Sequence, residues 1–432
     1  MSKENKVIKI AILGTGFGAI HTALQLKKER KRLPNNIKLE VDIISRNDYF
    51  WLVTMAHEIA TGNLMPHDVV QSIRSMPRSI YDNYIQGEIT SVNTVTGEVN
   101  FELIDTVEQD LETSQSKTYD YIVSALGSKT FYFGVEGAAE HALALKTLED
   151  VRAIKNRIMQ SFEDAEFIDD VVELQRLLHF VIVGGGATGV EIAAELAEMI
   201  NISMAERFPK VVKYARVTVV HGGKRVGIPG QEWMSGELEN VLQKKHCVNL
   251  QCDSFVSKVT PDGVYIGDEF IPANTVIWSG GVMASAVEFI SSQEVSRNKQ
   301  GRIEVESDLS LIDSPQVFII GDQASVKDES GNDYPMRAQF AVRQGRFVAK
   351  TIVAELSNKT RTAFTYSDKG VIIGLGDNEA LASVMGLKLK GWFAYLLYKL
   401  IYIPQLIGIR AKVRTASSWL LNVFSPRDLS EI

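Results

Sequence analysis

Cysteine and proline are scarce in this 432-residue chain, at 2 and 11 residues. Two cysteines cannot staple a chain of this length, which excludes a disulfide framework and fits a reducing compartment. Cys247 and Cys252 keep the C-x4-C spacing of redox-active pairs, but they lie in KKHCVNLQCDSFVSKV, a helix end followed by a strand. A five-residue offset there points the side chains to opposite faces, so both read as small buried residues. A long uncharged apolar run is also missing, because Gly391 to Ile409 is interrupted by Lys399 and Pro404. The N-terminal text MSKENKVIKIAILGTGFGAI has no small-residue cleavage site and encloses a Gly-x-Gly, so it reads as a first strand and turn rather than a signal peptide. Basic residues are fewer than acidic ones, 46 against 53 for a net −7, which argues against nucleic acid as a partner. Nothing in the sequence points to a metal site. In one stretch it is acid that is absent: no Asp or Glu lies between Glu379 and Asp428.

What is abundant is glycine, 32 residues. Length predicts two to three domains, and 45% hydrophobic with 23% charged residues is ordinary for a globular protein. Val7 to Leu13 reads as a strand, a glycine turn follows, then a helix from about Ala19 to Lys31 and a strand over Leu39 to Ile44. The same order returns with His179 to Val183, GGGATG, Val190 to Ile200 and Arg216 to Val220. Residues 85 to 120 alternate as an antiparallel meander. A polar helical connection near Leu148 to Gln175 leads into the second unit, and Val317 to Ile320 is a further buried strand. The fold class is α/β: two Rossmann-like dinucleotide-binding domains and a C-terminal amphipathic membrane-docking segment. The expected boundaries are 1–145 and 285–375 for the first domain, 146–284 for the second and 376–432 for the tail.

Gly14-Thr-Gly16-Phe17-Gly18-Ala19 follows a strand and opens a helix. That context asks for glycine at a tight turn, glycine where backbone approaches a pyrophosphate, and a small residue where helix meets strand. Gly184, Gly186 and Gly189 satisfy the same rule about 170 residues later. Two such sites in one chain suggest a flavin dinucleotide and a nicotinamide dinucleotide exchanging hydride. Gly127 ends a strand in a small-residue turn, and Asp322 after Phe318 to Gly321 offers a carboxylate to a ribityl hydroxyl.

These residues carry a resemblance over essentially the full length to the type II, single-subunit, non-pumping NADH:quinone oxidoreductases. The matching text is GTGFGAIHTA, EIATGNL at 58 to 64, GGGATGVEIAAELAEM at 184 to 199, TVIWSGGVMAS at 275 to 285, VFIIGDQA at 317 to 324, AQFAVRQGRFVAK at 338 to 350 and GIRAKVRTASSWLLNVF in the tail. The resemblance implies non-covalent FAD on Gly14, Gly16, Phe17, Gly18, Ala19, Ser45, Arg46, Ile89, Gly127, Asp322, Gln339 and Phe340. It implies NADH or NADPH on Gly184, Gly186, Gly189, His221 and Gly281, with Glu191 placing the nicotinamide and handling protons. A quinone is the implied acceptor, served by Gln339, Arg343 and Gln344.

Three positions depart from the family. Ser45 stands where an acid would grip the FAD ribose, with Asp42 earlier in the strand. His221, followed by Lys224 and Arg225, stands where Glu would hold the NADH ribose, a change that accommodates a 2′-phosphate and brings in NADPH; the alternative is a tolerated surface replacement. Arg343 replaces the second Gln of the quinone motif. In the tail, Trp392, Phe393, Tyr395, Tyr398, Tyr402, Trp419 and Phe424 lie among seven cations from Lys388 to Arg427. Aromatics beside Lys and Arg suit a helix lying in a lipid interface, so a peripheral enzyme on the cytoplasmic side of the cell membrane is expected. Homodimerisation is left open. The rival readings are a sulfide:quinone-type reductase, which needs cysteines beside the flavin, and a degenerate membrane-associated flavoprotein acting as a sensor or scaffold.

Overall fold

The chain's text KVIKIAIL is apolar on both faces over its second half, as a strand covered on both sides must be, and it forms β1 (Lys6–Leu13). In the computed structural model, which describes residues 6–104, 112–376, 378–422, 427 and 429, there follow α1 (Phe17–Glu29), β2 (Ile37–Ser45), α2 (Ala56–Ala60), β3 (Asn83–Asn93), β4 (Glu98–Leu103), β5 (Ser114–Thr118), β6 (Tyr121–Ser124) and α3 (Leu148–Ala165). Next come β7 (His179–Val183), α4 (Ala187–Met199), β8 (Arg216–Val220), α5 (Glu232–Asn240), β9 (Asn249–Gln251), β10 (Thr275–Trp278), β11 (Ser314–Ile319) and α6 (Ala338–Leu356). The last elements are β12 (Gly370–Gly374), β13 (Ala380–Val384), β14 (Leu387–Gly391), α7 (Trp392–Tyr402) and α8 (Ile409–Leu421).

The chain divides into two compact units, each gathered from three stretches. Met1–Trp51, Val70–Lys129 and Val282–Ser367 form the first. Its sheet runs β11-β6-β1-β2-β3-β4-β5, with Ser310–Leu311 beyond β11 and Glu288–Ile290 on β3. From β11 to β3 the strands are parallel, and β4 and β5 continue antiparallel as the meander. Ala11, Leu13, Ile122, Val317 and Ile319 make one side of its core with Val99 and Phe101 of the meander. Helices α1 and α6 pack closely: a Cβ on Gly345 would lie within 2.7 Å of Thr22 Oγ1 and closer still to the Gly18 carbonyl.

Leu52–Val69, Thr130–Gly281 and Asp368–Ile432 form the second unit. Residues 52–69, which the sequence puts inside 1–145, therefore pack here, and so does the tail. The five-stranded parallel sheet is Leu143–Ala144, β10, β7, β8, β9. All five residues of β7 are buried between two parallel neighbours. Thr147 and Asp150 close a capping box at the start of α3, whose Val151, Ile154, Ile158 and Phe162 face inward. The connection read from sequence as polar is thus an amphipathic helix. Strands β12 to β14 form a separate antiparallel sheet leading into α7.

Candidate functional site

In the first unit β1 ends in the turn that opens α1. Gly14 has φ +103°, and a Cβ there would fall 2.7 Å from the Ala125 carbonyl oxygen, so no other residue fits. A Cβ on Gly16, by contrast, would meet no atom within 4 Å. No neighbouring protein atom therefore demands glycine at Gly16; it leaves open space at a helix N-terminus, an environment that suits an anion. Gly18 lies against Ile320, and Ala19 is fully buried. Phe17 packs edge-on to Phe50 at 5.2 Å. Gly127 is left-handed at φ +71° with open space where a side chain would be.

Ser45 ends β2 beside the turn, its hydroxyl 3.2 Å from that of Thr15. Asp42 is buried and accepts from Tyr119 Oη at 2.9 Å, Asn83 at 2.8 Å and Lys117 at 3.3 Å, so it is spent on the sheet and does not replace the missing acid. Arg46 is exposed and 3.8 Å from Glu88. Ile89 lies in β3 opposite Phe101 and packs on the core. Asp322 accepts from Ser128 Oγ. On α6, Gln339 and Arg343 are half-buried while Phe340 is buried. Phe340 stacks on Tyr366 at 3.9 Å, with the Arg343 guanidinium 5.0 Å from the same ring. Gln344 was expected on the quinone side, but it is 1% exposed and its Oε1 accepts from the Gly321 amide at 2.6 Å. Its amide positions the Gly321–Asp322 turn.

The second glycine turn joins β7 to α4. Gly184 has φ +108° and lies against Gly280, and a Cβ on Gly189 would overlap the Gly184 carbonyl and come within 2.7 Å of Ser279 Oγ. Gly186 again has nothing within 4 Å. Gly281 is pressed against the Phe133 ring and accepts from the Phe131 amide at 3.0 Å. His221 ends β8, where its Nδ1 accepts from the Gly185 amide at 3.2 Å. Burial lowers its pKa, against a backbone hydrogen bond with Arg225. The imidazole thus latches the glycine turn to the loop after β8. Gly189→Ala is expected to force α4 off its turn, at a cost of about 1–3 kcal/mol. Thermal denaturation of the variant checks the loss.

Sequence reading missed the densest feature, a buried charge cluster in the second unit. Glu191, on the buried face of α4, is only 8% exposed rather than a solvated helix glutamate. Its Oε2 lies 3.8 Å from His57 Nδ1, and its Oε1 accepts from the Gly374 amide at 3.4 Å. His57 Nε2 is 3.2 Å from Tyr398 Oη, which also lies 3.4 Å from Glu58. Glu58 pairs with Lys399 at 3.1 Å and accepts from Trp419 Nε1 at 2.7 Å. Arg427 pairs with Glu195 at 3.0 Å and Glu198 at 2.7 Å. Lys399 thus serves Glu58 and Arg427 serves Glu195 and Glu198, while Glu191 pairs with neither cation. Burial would raise Glu58, but Lys399 and then His57 outweigh it and hold it below its usual range. Burial pushes Glu191 up to about 7 against weaker pulls from His57 and Gly374, and it raises Glu195 against Arg427.

The tail is correspondingly different from the expectation. Tyr398 and Lys399 are buried, with Lys399 Nζ 3.8 Å from the Trp419 ring, so neither ring nor cation faces outward. Lys390 pairs with Glu237 at 3.1 Å. Phe424 lies outside the described residues. The apolar run breaks at Ile403–Gln405 between α7 and α8, and no helix among the described residues is long and apolar enough to cross a membrane. Trp392, Phe393, Leu396, Leu400, Ile409 and Val413 remain exposed on these two helices. The described residues contain no cluster suited to a metal ion. Cys247 and Cys252 are both free; the sequence reads both as buried, but Cys247 is exposed in a left-handed turn at φ +57° and Cys252 is half-buried.

A family model described as pyridine nucleotide-disulphide oxidoreductase matches residues 8–345. The chain is 28% identical over 431 residues to the type II NADH:quinone oxidoreductase Ndh of Mycobacterium tuberculosis, covering 97% of this chain and 89% of that protein. It is 28% identical over 414 residues to the type II NADH:quinone oxidoreductase of Haemophilus influenzae, covering 91% and 92%. Among solved structures it shares the fold of NDH2 from Plasmodium falciparum in complex with NADH, at a TM-score of 0.87 and 19% identity, covering 98% of this chain and 99% of that one.

Proposed function

The chain belongs to the pyridine nucleotide-disulphide oxidoreductase family, and from that premise we propose that it works as a type II NADH:quinone oxidoreductase. The observation that carries the reading is the pair of strand–turn–helix glycine cradles, one in each unit, each with empty space at the glycine nearest a helix N-terminus. Gly14, Gly16, Phe17, Gly18 and Ala19 would hold FAD at its pyrophosphate, with Ser45, Arg46, Ile89, Gly127, Asp322, Gln339 and Phe340 around it. Gly184, Gly186, Gly189 and Gly281 would hold the nicotinamide dinucleotide. Bound FAD supplies the redox chemistry, taking a hydride and giving up two electrons.

The chain's own residues supply binding, orientation and protons. Amides at the start of α1 and α4 would face a phosphate, and the positive end of each helix would favour its charge. Arg343, lying over Tyr366, would give the acceptor side a fixed cation, and Gln339 a hydrogen-bonding amide. Quinone reduction to quinol consumes two protons, and Glu191 carries one on its carboxyl near neutral pH. The exposed apolar residues of α7 and α8, with Arg410 and Lys412 on α8, fit a surface that lies on a lipid interface, from which a lipophilic quinone arrives. We place the protein peripherally on the cytoplasmic side of the membrane. The sulfide:quinone alternative needs cysteines near the flavin, and both cysteines lie in the second unit.

Purified protein is expected to carry a flavin spectrum that NADH bleaches and a soluble quinone restores. A colourless preparation that stays inactive when FAD is added would sink the reading and favour the sensor or scaffold.

A further inference from the structure

In a dinucleotide unit the residue ending the second strand, with the loop after it, faces the adenosine ribose, and a carboxylate there selects NADH while a free cation admits NADPH. Here that strand is β8, and the corner is built from the loop 221–226 and the loop after β9. The two loops are tied together: the Asp253 amide donates to the Gly223 carbonyl at 3.0 Å and the Ser254 amide to the His221 carbonyl at 3.0 Å. Phe255 is 75% exposed, with its ring so close over Gly222 that a Cβ there would overlap it. His221 brings no charge, because burial lowers its pKa, and its ring is occupied with the Gly185 amide and the Arg225 backbone.

Of the two loop cations, Lys224 is a point charge and Arg225 carries the fork that fits a phosphate, and every nitrogen of its guanidinium is taken. Nε lies 3.0 and 3.2 Å from the two Glu239 oxygens, Nη2 2.6 Å from Glu239 Oε2, and Nη1 3.3 Å from Glu232 Oε2. Both acids sit on α5, seven residues apart and thus on one face. Glu239 first and then Glu232 raise the Arg225 pKa by their hydrogen bonds, so it stays charged, with Glu239 the less exposed partner. A bidentate carboxylate occupies the same fork that a phosphate would use. A 2′-phosphate approaching this corner meets Glu232, Glu239 and the exposed Asp253 against Arg225 and Lys224.

We propose that Glu232 and Glu239 are specificity-determining residues: by clamping Arg225 they make this chain take NADH and refuse NADPH, although no carboxylate ends β8. This deepens the NADH:quinone reading and rests on it. It also reverses the inference drawn from Lys224 and Arg225 as sequence, where the two cations argue for NADPH.

The test is the Glu232→Gln/Glu239→Gln double variant of the FAD-loaded enzyme, compared with the unsubstituted enzyme for flavin bleaching by NADH and by NADPH, and for binding of 2′,5′-ADP against 5′-AMP. The ratio of NADPH to NADH kcat/KM is expected to rise about tenfold as Arg225 is released and two like charges are removed. The preference for 2′,5′-ADP should rise in parallel. Adding Arg225→Gln to the double variant should cancel both gains, a result that a merely structural role for the acids would not give. An unmoved ratio with NADH still bleaching the flavin would overturn the clamp alone. So would an unsubstituted enzyme that prefers NADPH. If neither nucleotide bleaches the flavin of the unsubstituted enzyme, the NADH:quinone reading falls and takes the clamp with it.

Discussion

Lys399→Ala is expected to cost about 3–5 kcal/mol of stability, the range for removing one partner of a buried ion pair. The loss comes less from the pair's own attraction than from what is left behind. Glu58 is 1% exposed, and without Lys399 its carboxylate keeps only neutral side-chain donors, Trp419 Nε1 at 2.7 Å with the longer Asn63 and Tyr398 contacts at 3.3 and 3.4 Å. The truncation also removes a cation 3.8 Å from the Trp419 ring. The pH dependence distinguishes this account from simple loss of packing. In the unsubstituted chain the Glu58 pKa is lowered, so its contribution is present above the ordinary carboxylate range and is lost as pH falls. In the variant Glu58 has lost its cation and takes up a proton more readily. The gap between the two denaturation midpoints should therefore narrow below about pH 4.5, the ordinary carboxylate range. A double variant, Glu58→Gln/Lys399→Met, should recover at least half of the loss. Equal instability of single and double variants at every pH would point to packing instead.

Glu191→Gln is expected to lower NADH oxidation about a hundredfold at pH 7, within the usual contribution of a positioned acid or base. Flavin content should stay intact, since Glu191 lies in the second unit. The same substitution should have the opposite effect on stability. Folding raises the Glu191 pKa from 4.5 to about 7. Its contribution is therefore full below pH 4.5 and lost as pH rises through 7, where a buried carboxylate must form. Glutamine keeps the shape and never ionises. At pH 8 the variant should be more stable, on the order of 3 kcal/mol, and at pH 4.5 the two should nearly match. Thermal melts across that range check the second half, and an activity–pH profile without its inflection near 7 checks the first. Unchanged single-turnover flavin reduction would remove Glu191 from the mechanism.

The parts legible in the sequence are those whose cause is local. A strand, three glycines and a helix opening lie within about fifteen residues, so both cradles can be read from text, and β7 and β8 fall on the residues that alternation and apolarity select. The charge cluster has no such signature. Glu58 and Lys399 are 341 residues apart, and each looks ordinary among its own neighbours. Lys399 inside an apolar run even suggests a cation reaching for lipid, because nothing nearby in sequence announces a buried acid to receive it. The same limit applies to Arg225: its charge is visible, but its three occupied nitrogens depend on how α5 lies beside the loop. Gln344 shows the converse, a residue adjacent to a motif whose amide is used to hold Gly321.

The cluster also bears on how the chain is made. Its acids come from α2 and α4, early and midway in synthesis, while Lys399, Trp419 and Arg427 are translated last. At the usual pace of roughly 5–20 residues per second, Glu58 waits about 20–70 s for its lysine. During that interval the second unit cannot bury its acids as a matched set. The cluster therefore closes only after the segment carrying Lys399 has been made, and a ribosome-stalled chain ending before Lys399 should be a persistent chaperone client.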